Sequence, residues 1–328
     1  MPSDFIKKIF KLNDKASFEK LAIKLFLYQS ANNPIYKKYI SSIGVNPEKI
    51  SSLNNIPFLP IRFFKTNKVL CSGLKTSKVF RSSGTTSSIR SSNYITDLSL
   101  YEKSILTSFK NIYGNPDYYR ILALMPSDVE NKDSSLSYML NFLIKESRNN
   151  ESGFYNDKTE KLSELLTRKD NKKTIIFGLS YALLDFTFGK SFSLKNTIII
   201  ETGGMKGRRK ELLRKELHIE LCKSFGVEKI HSEYGMSELL SQSWSTGAGI
   251  FQSPSWKKIF IRDPYDPFSW QAPYQSGGIN IIDLANVHSC AFIETEDIGI
   301  SHMNDSFEIL GRLDNSEIRG CNLMENGH

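Results

Sequence analysis

The chain has 328 residues, 40% of them hydrophobic and 24% charged, with 43 Lys plus Arg against 35 Asp plus Glu and a formal net charge of +8. That length holds one large domain or two ordinary ones, with apolar material for a sizeable core. The basic residues are scattered among Ser and Asn with no long Lys/Arg block, which suits a small anionic ligand and argues against nucleic acid; no stretch reaches the ~18 apolar residues of a membrane span, and no signal peptide is evident.

The first sixty or so residues read as helices. Phe18 to Ser30 is periodic, with Leu21, Ile23, Leu25 and Phe26 among its apolar positions, and Pro34 and Pro47 punctuate the turns that follow. Ile56 to Phe64 is an apolar stretch stiffened by two prolines, expected to pack in extended form. From there strands and helices alternate. Strands are expected at Tyr119 to Met125, Lys173 to Gly178, Thr197 to Glu201 and Lys229 to Glu233. Helices are expected at Ser134 to Lys145, Ser180 to Phe188 and Arg208 to Phe225. Short apolar runs between amphipathic segments predict βαβ units around a mainly parallel sheet. After about residue 250 the texture changes to short strands with turn residues between them, at Ile259 to Ile261, Gly278 to Leu284, Ala291 to Glu294 and Phe307 to Leu310. No repeat or clear linker interrupts the chain.

Four segments have the composition of a nucleotide site. Phe80-Arg81-Ser82-Ser83-Gly84-Thr85-Thr86-Ser87-Ser88 offers hydroxyls, a flexible backbone and N–H groups that wrap polyphosphate oxygens, although the same composition serves a polar surface loop. It lacks the Gly-Lys-[Ser/Thr] ending of a Walker loop. In Glu233-Tyr234-Gly235-Met236-Ser237-Glu238 the glycine permits close backbone approach, Tyr234 can cover a flat base and Glu238 can hold a hard cation such as Mg²⁺; such hexapeptides also form ordinary strand-to-helix turns. Asp297, in Thr295-Glu296-Asp297-Ile298-Gly299, is read as a strand-end carboxylate that can accept from ribose hydroxyls, or as a β-turn residue. Arg312, in Gly311-Arg312-Leu313-Asp314, and Arg319 can contact phosphate or ribose, or else decorate a hairpin.

Taken in order, these segments resemble the motifs of the adenylate-forming superfamily. More closely, the chain resembles the acyl-protein synthetases of the bacterial bioluminescence fatty-acid reductase system, through Arg81 to Ser88, Asp133 to Leu136, Gly153 to Tyr155, Glu201 to Arg209 and His231 to Gln242. The likeness runs from roughly residue 55 to the end. It implies an α/β fold: the N-terminal-type domain of an adenylate-forming enzyme, a mainly parallel sheet flanked by helices with a β-rich C-terminal part. The acyl-protein synthetase domain would occupy residues 61–328 and a helical region, 1–60, would pack on it. Ser82, Ser83, Gly84, Thr85 and Thr86 would bind the phosphates of ATP. Gly203 and Gly204 would lie against the adenine, with Tyr234 and Gly235 near it. Ser237 and Glu238 would stand near phosphate and Mg²⁺, Asp297 on the ribose, and Arg312 at the hinge. The sequence departs from many relatives in having Ser87-Ser88-Ile89-Arg90 where a Lys is common, and it stops soon after Arg312, so the small C-terminal catalytic domain is expected to be absent. Arg81, Arg90 and Arg312 are then the candidate partners for pyrophosphate.

The implied activity is ATP-dependent activation of a carboxylic acid, a fatty acid, to an acyl-adenylate, followed by transfer to a protein thiol. The alternatives are delivery to an acyl carrier protein or coenzyme A, and a nucleotide-binding module without turnover. The implied partners are the acid and an acyl-accepting protein such as a reductase or acyl carrier protein. The cysteines, Cys71, Cys222, Cys290 and Cys321, stand apart with no C-x-x-C, which indicates neither a zinc site nor a disulfide framework and fits a reducing cytoplasm. In the resembled family the acyl-accepting cysteine lies near the C-terminus, which points to Cys321; the other three read as small buried hydrophobes. Gly178-Leu179-Ser180-Tyr181-Ala182 looks like a nucleophile elbow and seeds a rival hydrolase reading, with Ser180 as a helix cap the simpler expectation. Gly203-Gly204-Met205-Lys206-Gly207 lacks the Gly-x-Gly spacing of a dinucleotide fingerprint. His231 is a candidate neighbour of the carboxylate or a satisfied structural histidine, and Phe177, Leu179, Tyr181, Leu183 and Phe186 either line an acyl channel or belong to the core.

Overall fold

The computed structural model describes residues 3–83, 89–168, 170–203 and 212–312. In chain order come helices α1 (Ser3–Ile9), α2 (Lys15–Asn32) and α3 (Pro34–Ser42), strand β1 (Leu59–Pro60) and the one-turn α4 (Phe63–Thr66). A two-stranded hairpin, β2 (Lys78–Arg81) and β3 (Ser92–Ile95), precedes α5 (Leu98–Tyr113). An alternating stretch follows: β4 (Arg120–Leu124), α6 (Ser135–Glu146), β5 (Gly153–Phe154), α7 (Thr159–Thr167), β6 (Thr174–Leu179), α8 (Ser180–Thr187), β7 (Thr197–Thr202), α9 (Arg214–Phe225) and β8 (His231–Tyr234). Then come β9 (Ser243–Ser245), β10 (Ile250–Gln252), β11 (Lys257–Arg262), β12 (Ser276–Asp283), β13 (Phe292–Ser301) and β14 (Phe307–Arg312). No helix among the described residues is long and apolar enough to cross a membrane.

The chain divides into two compact units. One comprises residues 64–68 and 73–254. Its sheet runs β10-β9-β8-β7-β6-β4-β5, parallel from β8 to β5 and antiparallel from β8 to β10. Every residue of β4 and of β6 is buried, as expected for central parallel strands covered on both faces. Helix α5 begins at Asp97, whose carboxylate accepts from Ser99 N at 2.9 Å, and stops at Gly114. Its Phe109 packs edge-on against Trp244 of β9, and so does Phe177 of β6. The proposed channel residues Phe177, Leu179, Tyr181, Leu183 and Phe186 are all buried.

The other unit comprises residues 1–63, 69–72 and 255–328. Here β11, β12, β13 and β14 form an antiparallel meander, and β1 joins β13 in parallel with Leu59 opposite Ile293. Helix α2 buries Phe18, Ala22, Leu25, Phe26 and Gln29, a stripe at the helical period. Leu21 and Ile23 lie beside this stripe and are only half-buried. Phe26 meets Tyr36 and Phe292 edge to face. Asn33 ends α2 and caps α3, accepting from Ile35 N and Tyr36 N, while its amide donates to Ser289 O at 2.9 Å.

Gln29 also ties α2 to the 284–291 turn. It is fully buried; its amide donates to Asn286 O at 2.8 Å and Val287 O at 3.1 Å, and its oxygen accepts from Ala291 N at 2.9 Å. Leucine in its place leaves three buried backbone groups without this partner, each worth about 1–3 kcal/mol unless water replaces it. Gln29→Leu is therefore expected to lower stability by about 3 kcal/mol. Urea unfolding followed by tryptophan fluorescence measures this, and a loss below about 1 kcal/mol would show that the turn holds without the glutamine.

The extended reading of Ile56 to Phe64 holds through β1, but the chain turns into α4 at Phe63. Residues 212 and 213 precede α9 rather than belonging to it, and β13 runs far beyond Glu294. Among the cysteines, Cys71 and Cys290 are buried as expected, whereas Cys222 is only partly covered. Burial pushes the Cys71 thiol up to about 11.

Candidate functional site

The parallel strands β6, β7 and β8 end side by side, with Leu179 opposite Thr202 and Glu201 opposite Ser232. The crevice beyond the carboxyl ends of such strands is where open α/β sheets bind ligands. Three sequence motifs converge here. Thr202 donates to Glu233 Oε2 at 2.6 Å, tying the end of β7 to the residue before Tyr234. Gly203 follows with φ of 75°, a left-handed conformation that a side chain disfavours. At Gly235 an added Cβ would come 2.5 Å from Glu233 Oε1, so a side chain there would dislodge the carboxylate that Thr202 holds. Tyr234 is buried at the end of β8, edge-on to Phe251 with ring centroids 6.0 Å apart.

Glu238 is only 4% exposed. Ser237 donates to its Oε2 at 2.8 Å, and Ser91 donates to its Oε1. Ser91 belongs to the return of the β2–β3 hairpin. Its N–H donates to Ser82 Oγ at 3.1 Å, and Ser82 N donates to Ser91 O, also at 3.1 Å. Asn93, fully buried, donates to Ser237 O at 3.0 Å. The described residues on either side of the 84–88 stretch, Ser82 and Ser91, are thus fastened to each other, and Ser91 to Glu238. Arg90 donates to the carbonyls of Ser82 and Arg81, and Arg81 pairs with Asp133 at 2.6 Å. Both arginines serve the base of this segment. Ser83 is exposed beyond it, while Gly84, Thr85, Thr86 and Gly204 lie outside the described residues.

Glu201 is buried below Gly203 and accepts from Ser180 Oγ at 2.9 Å, with Arg214 Nε and His218 Nε2 each 3.5 Å from its other oxygen. Burial favours its neutral form, but the His218 and Ser232 hydrogen bonds and the Arg214 charge outweigh that and hold the carboxyl below its usual range. These contacts correct the expectation that Ser180 caps α8. Ser180 opens α8 without capping it, its hydroxyl turned to Glu201. Ser180 is buried, and the carboxylate its hydroxyl donates to is held below its usual range and is a weak base, which disfavours the hydrolase reading. His231 is a buried histidine bonded to Tyr113 Oη at 3.1 Å. Burial, with the Lys229 charge, lowers its pKa to about 4, so it is neutral near pH 7.

In the other unit, Asp297 lies inside β13 rather than at a strand end or turn. It faces Arg312 of β14 as a cross-strand pair, with Arg312 Nε 3.3 Å from Asp297 Oδ1. Asp297 N donates to Thr295 Oγ1 at 3.1 Å, and Thr295 in turn donates to Ile279 O at 2.7 Å. Two residues singled out separately in the sequence are therefore neighbours. Asp297 is 9% exposed, while the Arg312 side chain is 72% exposed. His302 has a partner that the sequence did not suggest, Glu308 at 3.0 Å. Cys321 lies outside the described residues.

Ser91 and Asn93 were invisible to sequence reasoning, because Ser-Ser-Asn in a polar stretch has no distinguishing pattern. The hairpin had no such signal, since polar Asn93 takes one of the two inward positions of Ser92 to Ile95, whereas α5 had one in Asp97, its apolar periodicity and Gly114.

This arrangement, a parallel sheet whose strand ends gather the glycine turn, Tyr234 and Glu238, has the fold of AMP-forming acid ligases. Solved structures share it. MatB from Rhodopseudomonas palustris, solved with ATP bound, aligns over 85% of this chain and 58% of its own, with a TM-score of 0.55 and 14% identity. A 2-hydroxyisobutyryl-CoA ligase, solved in an open conformation with 2-HIB-AMP and CoA, aligns over 92% of this chain and 71% of its own, with a TM-score of 0.66 and 12% identity. The luciferase-like enzyme of the nonluminescent mealworm Zophobas morio aligns over 83% and 62%, with a TM-score of 0.55 and 15% identity. The chain thus spans less than two thirds of the first and third of these proteins. No curated protein sequence matches it. Residues 11–327 match the family described as acyl-protein synthetase, LuxE, and the chain belongs to that family.

Proposed function

We propose that this protein activates a carboxylic acid, a fatty acid, with ATP and passes the acyl group to a protein thiol. The observation that best supports the reading is the bond between Ser91 and Glu238, 147 residues apart, which joins the base of the Ser/Thr/Gly segment to the Tyr-Gly-Met-Ser-Glu motif beside the carboxyl ends of parallel strands. In this reading a carboxylate oxygen of the acid attacks the α-phosphorus of ATP, the bond to the bridging oxygen breaks and pyrophosphate leaves. A thiolate then adds to the carbonyl of the mixed anhydride, and AMP departs with the bonding electrons. The acid is already ionised at neutral pH, so the protein contributes positioning and charge stabilisation rather than a strong base.

Ser82, Ser83, Gly84, Thr85 and Thr86 would hold the phosphates; Gly203, Gly204, Tyr234 and Gly235 the adenine; Ser237 the phosphate side; Asp297 the ribose. Arg312 would act as the hinge residue, and Cys321 would receive the acyl group before its transfer to a reductase or acyl carrier protein. Residues 61–328 would carry the activity, with the helical region 1–60 packed on them. Among the described residues no group of three acidic, His or Cys side chains forms a metal cage. A single carboxylate such as Glu238 nevertheless fits Mg²⁺, which keeps most of its shell as water and phosphate oxygen. When bound, Mg²⁺ supplies charge neutralisation for the phosphates. Isotope exchange between ATP and pyrophosphate tests the reading: it is expected to require a carboxylic acid. Exchange without acid, or none across acids of varied chain length, would overturn it.

A further inference from the structure

The β2–β3 hairpin reaches Glu238 through residues that the proposed chemistry does not use. Ser91 and Asn93 are two apart on one extended segment and therefore share a face. Ser91 Oγ donates to Glu238 Oε1, and Asn93 Nδ2 donates to Ser237 O at 3.0 Å. Ser91 is 2% exposed and Asn93 is fully buried, so neither bond competes with bulk water. Ser91 is also bonded through its backbone to Ser82 at both N and O. The hairpin itself is anchored: Arg81 N and its guanidinium both bond Asp133, and Phe80 packs against Tyr101 and Tyr138. One short segment thus carries a bond to the start of the Ser/Thr/Gly segment and a bond to the Glu238 carboxylate.

We propose that Ser91 and Asn93 are positioning residues that hold Glu238 in register with the segment beginning at Ser82, so that binding of ATP and binding of its divalent cation are energetically coupled through the hairpin. Two hydroxyls, from Ser91 and Ser237, take one carboxylate oxygen each and fix its plane. Removing the Ser91 hydroxyl takes away one of these two donors, and with it the tie between the carboxylate and the hairpin, without touching ATP, cation or acid. The loss then appears in the cation dependence and not in the intrinsic affinity for nucleotide. The inference rests on the assignment of Glu238 to the cation.

Calorimetric titration of the full chain with ATP, in EDTA and at rising MgCl₂, reads the coupling without turnover. In Ser91→Ala the MgCl₂ concentration that half-restores tight ATP binding is expected to rise at least about tenfold, the scale of a lost hydrogen bond to a charged group. ATP affinity in EDTA stays at the wild-type value, and Ser91→Thr, which keeps the hydroxyl, restores the wild-type cation dependence. Ser91→Cys, nearly isosteric with a weak donor, makes the same test if the alanine variant does not fold. An unchanged cation dependence in Ser91→Ala, or an equal loss of affinity with and without Mg²⁺, overturns the coupling. Glu238→Gln separates the two layers. If it shifts the cation dependence and Ser91→Ala does not, the inference alone falls; if it leaves the dependence at wild type, the cation assignment falls and takes the inference with it.

Discussion

Glu238→Gln is expected to lower acid-dependent ATP–pyrophosphate exchange by about 10²- to 10³-fold, the scale of losing one preorganised charged group at a reacting phosphate. The substitution keeps the side-chain length and one oxygen acceptor. Ser91 and Ser237 each direct a hydroxyl at the native carboxylate, and each retains a partner in the amide, because a hydroxyl both donates and accepts. The fold should therefore survive, and circular dichroism with thermal unfolding checks that it does. What is lost is the negative charge that a hard cation prefers. Exchange at the wild-type rate in the folded variant would remove Glu238 from the chemistry and leave it as the buried anchor of the hairpin.

If Cys321 accepts the acyl group as proposed, the wild-type chain is expected to acquire a hydroxylamine-sensitive acyl adduct on incubation with ATP and a fatty acid, and Cys321→Ser to lack it. Exchange between ATP and pyrophosphate should persist in the variant, because adenylation precedes the thiol step. Intact-mass measurement reads the adduct directly. The other cysteines make poor rivals. Burial pushes the Cys290 thiol far above its usual value and that of Cys71 to about 11, and Cys222 is also shifted up by burial; a thiol must ionise to attack. Arg312 stands 3.3 Å from Asp297; Arg319 is two residues from Cys321 in sequence, and a cation beside a thiol favours the thiolate. An adduct of unchanged mass in Cys321→Ser would overturn the assignment and favour direct transfer to an external carrier or coenzyme A.

The sequence by itself determined the βαβ alternation and the β-rich C-terminal part. Those patterns are local: apolar runs that become buried strands, as in Thr174 to Leu179, and caps that start helices, as Ser134 does for α6. It also singled out Tyr234, Gly235, Ser237 and Glu238, because glycine, hydroxyl and carboxylate chemistry is written in residue type. Tertiary structure alone decided which of these residues meet and through what. Ser91 and Asn93 became readable only when strand register set them beside Ser237 and Glu238, since a hydrogen bond across 147 residues leaves no local trace. Asp297 looked like a strand-end or turn residue until β14 paired with β13 and set Arg312 opposite it. Gln29 has no mark in the sequence pattern of α2, and its role exists only where the 284–291 turn closes over it. In each case the side chain's role depends on the unpaired polar group brought to it from a distant part of the chain, and only folding supplies that partner.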